Sequence, residues 1–172
     1  PATIVMPTGT GKTETMLAVL AAFDCSPMLI VVPARELRDQ TVRKFLTFGL
    51  LRRLGALAVD VRNPVVGTML SRPTTADDLA FFDYCNVVVA TMSVIAQGTS
   101  ASFVTNMVSR VSTLVVDEAH HIPADSWAAF REHFGARRVL QFTATPSRRD
   151  RKVVESKVIY SYPLRTAQQM AI

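Results

Sequence analysis

Apolar residues in this chain fall in short unbroken runs separated by stretches with helical spacing. Met28–Val32 and Asn86–Thr91 are the clearest runs, and Leu114–Asp117 and Val139–Thr143 are shorter versions of the same pattern. Runs of this length, without polar alternation, predict strands buried on both faces. Thr3–Met6, Leu57–Val61 and Val158–Tyr162 read as further strands. Between them the pattern predicts helices over Lys12–Phe23, Glu36–Leu51, Ala76–Tyr84, Ser100–Val111 and Ala124–Phe134, with a helical stub at Arg165–Met170. Asp77 and Asp78 sit in the first turn of one of these, where the helix dipole favours acids. Residues 63–75 contain Pro64, Gly67 and Pro73 and read as irregular. Strands alternating with helices predict an α/β domain with a mainly parallel sheet covered on both faces.

Composition narrows the class. The chain has 172 residues, 49% hydrophobic and 19% charged, enough apolar surface to offset the entropy of ordering one domain. No apolar run approaches the roughly 18 residues of a membrane span, and no secretory signal pattern opens the sequence. Cys25 and Cys85 lie far apart and read as small apolar residues, which suits a reducing, cytoplasmic setting. The net charge of +5 permits a polyanionic partner. Its distribution says more. Arg35, Arg38, Arg43, Lys44, Arg52 and Arg53 crowd one zone, and Arg137, Arg138, Arg148, Arg149, Arg151 and Lys152 another. Residues 60–134 between them hold four basic and eight acidic residues. Either zone is a nucleic-acid surface or simply a solvated face.

Three segments carry candidate chemistry. Met6-Pro-Thr-Gly-Thr-Gly-Lys-Thr13 lies between a strand and a helix, where backbone N–H groups and a helix N-terminus can hold phosphate. Lys12 would meet phosphate oxygens and Thr13 would offer its hydroxyl to Mg²⁺. The plainer reading is a glycine turn before an amphipathic helix. Asp117 and Glu118 end an apolar strand, where an open α/β sheet binds its ligands. The first acid can hold Mg²⁺ and the second can deprotonate a water. An acidic pair standing alone there would be a solvated strand end. Phe142-Thr-Ala-Thr-Pro146 closes the next strand. His120 and His121 have no cysteine nearby and do not meet the spacing rules for zinc. Trp127 and Phe130 read as core rather than as a base-stacking platform.

In this order the three segments resemble motifs I, II and III of superfamily 2 helicases and translocases. MPTGTGKT resembles motif I, VVDEAHH the Asp-Glu-Ala-His form of motif II, and FTATP motif III. VVPARELRDQT and VVVATMSVI are similar to motifs Ia and Ib, and the tail KVIYSYPLRTAQQM is similar to the restriction-enzyme, ResIII-type branch. The resemblance implies a three-layer RecA-like P-loop NTPase fold. It implies that residues 1–172 are the first of two RecA-like domains, since nothing here matches motifs IV, V and VI. By matching positions, Thr8, Gly9, Thr10, Gly11, Lys12 and Thr13 would bind ATP, with Thr13 and Asp117 on Mg²⁺. Glu118 would be the catalytic base beside Lys12 and Asp117. His120, Thr143 and Thr145 would couple nucleotide state to nucleic acid. Arg35 and Thr91 are candidate contacts to the nucleic-acid backbone, although Arg35 also reads as an ordinary solvated arginine.

The implied activity is an ATP-hydrolysing motor on DNA, with a second RecA-like domain and restriction-complex subunits as partners and no membrane association. Two rivals stay open at this level. One is an RNA helicase domain; the other is a nucleotide-dependent nucleic-acid-binding module without unwinding.

Overall fold

The computed structural model describes residues 1–23, 25–75, 77–95, 100–118, 124–145, 156–163 and 166, with residues 124–127 described by backbone alone. Seven strands form one sheet: β1 Ala2–Val5, β2 Met28–Val32, β3 Val66–Met69, β4 Val87–Thr91, β5 Thr113–Val116, β6 Arg138–Thr143 and β7 Lys157–Ser161. Their order across the sheet is β3-β4-β2-β5-β6-β1-β7, and every pairing is parallel. The strands that read as unbroken apolar runs are the central ones. All residues of β2, β4 and β5 are buried.

Helices cover both faces, giving the three layers expected from the alternation. α1 (Lys12–Ala22) and α2 (Arg35–Phe45) seat Met16, Leu17 and Phe45 against Met28, Ile30, Val115 and Phe142 on one face. A 3-10 helix (Asp77–Tyr84), α4 (Met92–Ile95), α5 (Ala101–Ser109) and α6 (Ala124–Glu132) cover the other, where Leu79, Phe82, Ile95, Met107, Phe130 and Phe134 pack with Leu29, Val88 and Leu114. Phe130 is core, as the sequence suggested, and packs its ring on Phe134; the Trp127 side chain lies outside the described residues. Cys25 and Cys85 are buried free thiols.

Four local expectations are corrected. The helix expected over Glu36–Leu51 is two: α2 ends at Phe45, and α3 (Gly49–Arg53) restarts after Phe48 at φ 57° and Gly49 at φ 49°. Two consecutive left-handed residues cannot continue a right-handed helix. Leu57–Val61 is a turn, not a strand; Leu57 and Val61 instead lean on the α1/α2 core. The third strand lies within residues 63–75, where the sequence looked irregular: Val66–Met69 pairs in register with Val87–Ala90. Ala76–Tyr84 is tighter than expected, a 3-10 rather than an α-helix. The stub at Arg165–Met170 falls outside the described residues apart from Thr166. Among the described residues no helix is long and apolar enough to cross a membrane.

With all strands parallel, the carboxyl ends of all seven lie along one edge. The turns after β5, β6 and β1 are therefore neighbours there, and those after β2 and β4 continue the row.

Candidate functional site

The Met6–Lys12 loop leaves β1 with Met6 N–H donating to Thr143 O at 2.9 Å, which ties it to the end of β6. The Thr10 hydroxyl and N–H both donate to Pro7 O, at 2.7 and 3.3 Å, closing a tight turn. Gly9 and Gly11 sit at φ 85° and 93°, left-handed values that a Cβ strains. A Cβ at Gly9 would meet nothing within 4 Å, so steric room there is open and the backbone is accessible. Gly11 caps α1 with no side-chain hydrogen bond. The first-turn N–H groups of the helix, including those of Lys12 and Thr13, have no partners within a regular helix and point outward where an anion can take them. Thr15 steadies the turn, its hydroxyl donating to Gly11 O at 3.1 Å. Thr8 is exposed and Thr13 half-buried on that first turn.

The acidic pair faces this loop. Asp117 N–H donates to Val31 O at 2.9 Å, continuing the β2–β5 ladder by one residue. Glu118 then turns left-handed at φ 49°, and its N–H donates to Asp117 Oδ1 at 3.0 Å. That turn brings Glu118 Oε1 onto Lys12 Nζ in a salt bridge across β6. Lys12 is 8% exposed and Asp117 7%. Burial pushes the Asp117 carboxyl up to about 6; the Glu118 charge adds to the rise, and Lys12 and the Glu118 N–H oppose it. Asp117 at the end of β5 and Thr13 on the first turn of α1 are hard oxygen donors of the kind a small dication takes.

The Thr143 hydroxyl donates to Thr145 O at 2.8 Å and accepts from Thr145 N–H at 3.3 Å, making a closed turn at the end of β6. The structure thus brings together Thr8 to Thr13, Asp117, Glu118, Thr143 and Thr145 on three adjacent strand ends. Arg35 and Thr91 lie farther along the same edge, after β2 and at the end of β4. Arg35 is exposed. Thr91 is 2% exposed, and its hydroxyl shares a hydrogen bond with that of Ser93 at 3.0 Å. His120 and His121 lie outside the described residues. Among the described residues no cluster of three or more His, Cys, Asp or Glu could hold a metal. Sequence reading missed Thr15, visible as a hydroxyl one turn into the helix. Lys44, read from the sequence only as part of a basic zone, instead ties α2 to α1 through Glu14 at 2.7 Å.

The fold recurs in known proteins. The family described as type III restriction enzyme, res subunit (ResIII), matches residues 1–148. The DNA 3'-5' translocase XPB2 of Sulfurisphaera tokodaii is 27% identical over 154 residues, 87% of this chain and 28% of that protein. A hypothetical ATP-dependent RNA helicase from Sulfolobus tokodaii superposes with a TM-score of 0.60 at 19% identity, over 93% of this chain and 47% of its own. A DEAD box protein from Methanococcus jannaschii gives a TM-score of 0.60 at 17% identity, over 94% of this chain and 45% of its own. At such identities the likeness is one of fold, the RecA-like arrangement of parallel strands. The chain spans under half the length of each of these relatives. The match over residues 1–148 covers most of the chain, which belongs to the ResIII family of helicase-type, ATP-using domains.

Proposed function

We propose that this chain is the nucleotide-binding motor domain of a DNA helicase or translocase, the first of two RecA-like domains in its parent protein. The observation that carries the reading is the Lys12–Glu118 salt bridge, which joins the glycine loop to the acidic strand end across one intervening strand. DNA rather than RNA is supported by the family's restriction-enzyme description and by the similarity to a DNA translocase. The same family description supports restriction-complex subunits as partners, and the two buried free thiols suit a cytoplasmic setting.

In this reading the loop from Thr8 to Thr13 cradles the phosphates of ATP through its N–H groups. Lys12 leaves Glu118 for phosphate oxygens. Glu118, so released, orients a water and accepts its proton as the water oxygen bonds to the γ-phosphorus and the bond to ADP breaks. Thr13 and Asp117 would hold Mg²⁺, whose charge would offset that of the phosphates. His120, Thr143 and Thr145 couple this chemistry to nucleic acid held along the edge at Arg35 and Thr91. The second domain supplies the arginine that completes charge neutralisation, a contribution of roughly 10³–10⁵ in rate.

The test is ATP turnover by the full-length protein with DNA, RNA or neither, alongside Lys12→Ala. DNA should stimulate turnover, and Lys12→Ala should weaken binding of a fluorescent ATP analogue by on the order of 1.5–3 kcal/mol. Equal affinities for both proteins, or turnover indifferent to DNA, would sink the reading.

A further inference from the structure

Gln141 lies in the middle of β6, flanked in register by Val116 of β5 and Thr3 of β1. It is 1% exposed, and neither its amide nitrogen nor its amide oxygen has a hydrogen-bond partner. A buried amide left unsatisfied costs about 1–3 kcal/mol per group, and such groups in folded proteins call for an explanation. An apolar residue of the same volume would fill the site without that cost.

Its surroundings supply the explanation. Side chains alternate along a strand. Val139 packs in the α5/α6 core and Phe142 in the α1/α2 core, so Gln141 and Thr143 share the α5/α6 face as consecutive residues on it. Thr143 is fully buried, and in this structure its hydroxyl closes the turn with Thr145. On the other side the Thr3 hydroxyl is bonded to that of Ser156. Gln141 therefore stands with both donors and both acceptor sites unused, one same-face position below the turn that ends β6. An extended glutamine side chain brings its amide within hydrogen-bond reach of the next same-face side chain, about 6.6 Å along a strand.

We infer that Gln141 is a positioning residue for the Thr143–Thr145 turn: its amide takes the Thr143 hydroxyl in a second state of the turn, in which Thr145 is released from Thr143. Whether the hydroxyl takes Thr145 or Gln141 sets where Thr145 points along the carboxyl edge. This rests on the reading of that edge as a nucleotide and nucleic-acid site. The unsatisfied amide is then a reserve that the resting state leaves unspent.

Gln141→Met keeps the volume and removes the hydrogen-bonding groups; Thr143→Val removes the hydroxyl. In full-length protein, Gln141→Met should melt at or above the wild-type temperature and bind an ATP analogue within about twofold of wild type. The ratio of DNA-stimulated to basal turnover should fall at least tenfold. Thr143→Val should lower the same ratio, and the double variant should be no worse than the more impaired single one. An undiminished ratio in Gln141→Met, or single effects that multiply in the double variant, would overturn the assignment. If Gln141→Met does not fold, the wild-type side-chain amide resonances of Gln141 decide: they should shift when the nucleotide analogue binds, and unchanged resonances count against it. Wild-type protein without DNA stimulation would instead overturn the motor reading itself, and this inference with it.

Discussion

Asp117 and Asp78 show how two aspartates of one chain come to titrate in opposite directions. Asp117 is held near 6 by burial and by the neighbouring Glu118 charge. Its folded value lies above the unfolded one, so its ionisation opposes folding: that strain is absent below about pH 3.8 and grows as pH rises through about 6. Asp117→Asn should therefore raise the melting temperature of metal-free protein at pH 7.5 and lose that advantage at pH 4. A melt in each buffer measures this, and a lowered melting temperature at pH 7.5 would count against a buried, penalised carboxylate. Asp78 is the opposite case. It accepts from the N–H groups of Thr74 and Thr75 and from the Thr74 hydroxyl, at 2.6 to 2.9 Å, and these bonds hold its carboxyl down to about 2. Its contribution to folding is present above about pH 3.8 and is lost as pH falls towards 2. Asp78→Ala should speed amide exchange at Thr74 and Thr75 at neutral pH, with little change elsewhere.

Elements explain where sequence reading succeeded and where it did not. β2, β4 and β5 were legible because strands buried on both faces admit little but apolar residues. β3 was not, because Val66–Met69 contains a glycine and sits between two prolines, so no periodicity marks it. The glycine is there for packing: a Cβ at Gly67 would come within 2.7 Å of the Phe81 ring and 2.8 Å of the Cys85 sulfur. Gly67→Ala should destabilise the fold by about 1–3 kcal/mol, read from denaturant midpoints at constant slope. A neutral result would mean that the 3-10 helix can retreat from β3. The false strand at Leu57–Val61 has the same lesson in reverse, since apolar residues on a turn can reach a core without pairing. The glycine loop and the acidic pair were legible because phosphate and metal chemistry dictates both residue type and spacing. The Lys12–Glu118 contact was not, because nothing in a linear sequence says that the turns after β1 and β5 stand one strand apart. Gln141 was visible as one polar letter inside Val139–Thr143, but only burial shows that its amide is unmatched.

For the whole molecule, the carboxyl edge gathers the described residues of the glycine loop, the acidic pair and the Thr143–Thr145 turn, with Arg35 and Thr91, while Arg137 and Arg138 stand at the opposite end of β6. On the proposed reading, motion of a second domain against this edge links ATP turnover to movement on DNA. Turnover by residues 1–172 alone should then be slower than DNA-stimulated turnover by the full-length protein by roughly 10³–10⁵. Equal rates would remove the need for a second domain. DNA binding by the chain alone should weaken with salt, log K falling against log[salt] at a slope of about −0.7 to −0.9 for each phosphate neutralised. A flat dependence would mean that the basic zones are only solvated faces.

β1 is the first strand in the chain but sits between the last two, with Ala2 opposite Leu140 on one side and Lys157 on the other. During synthesis the strand that carries the glycine loop therefore leaves the ribosome long before β6 and β7, the two partners it has in this sheet. Closing loops of that length makes such pairings slow, and an apolar strand kept waiting is exposed to wrong partners. β2, β4 and β5 can assemble on the growing chain before either neighbour of β1 exists. A half-sheet of those three strands would have no phosphate site, so nucleotide would stabilise the finished domain rather than guide its assembly.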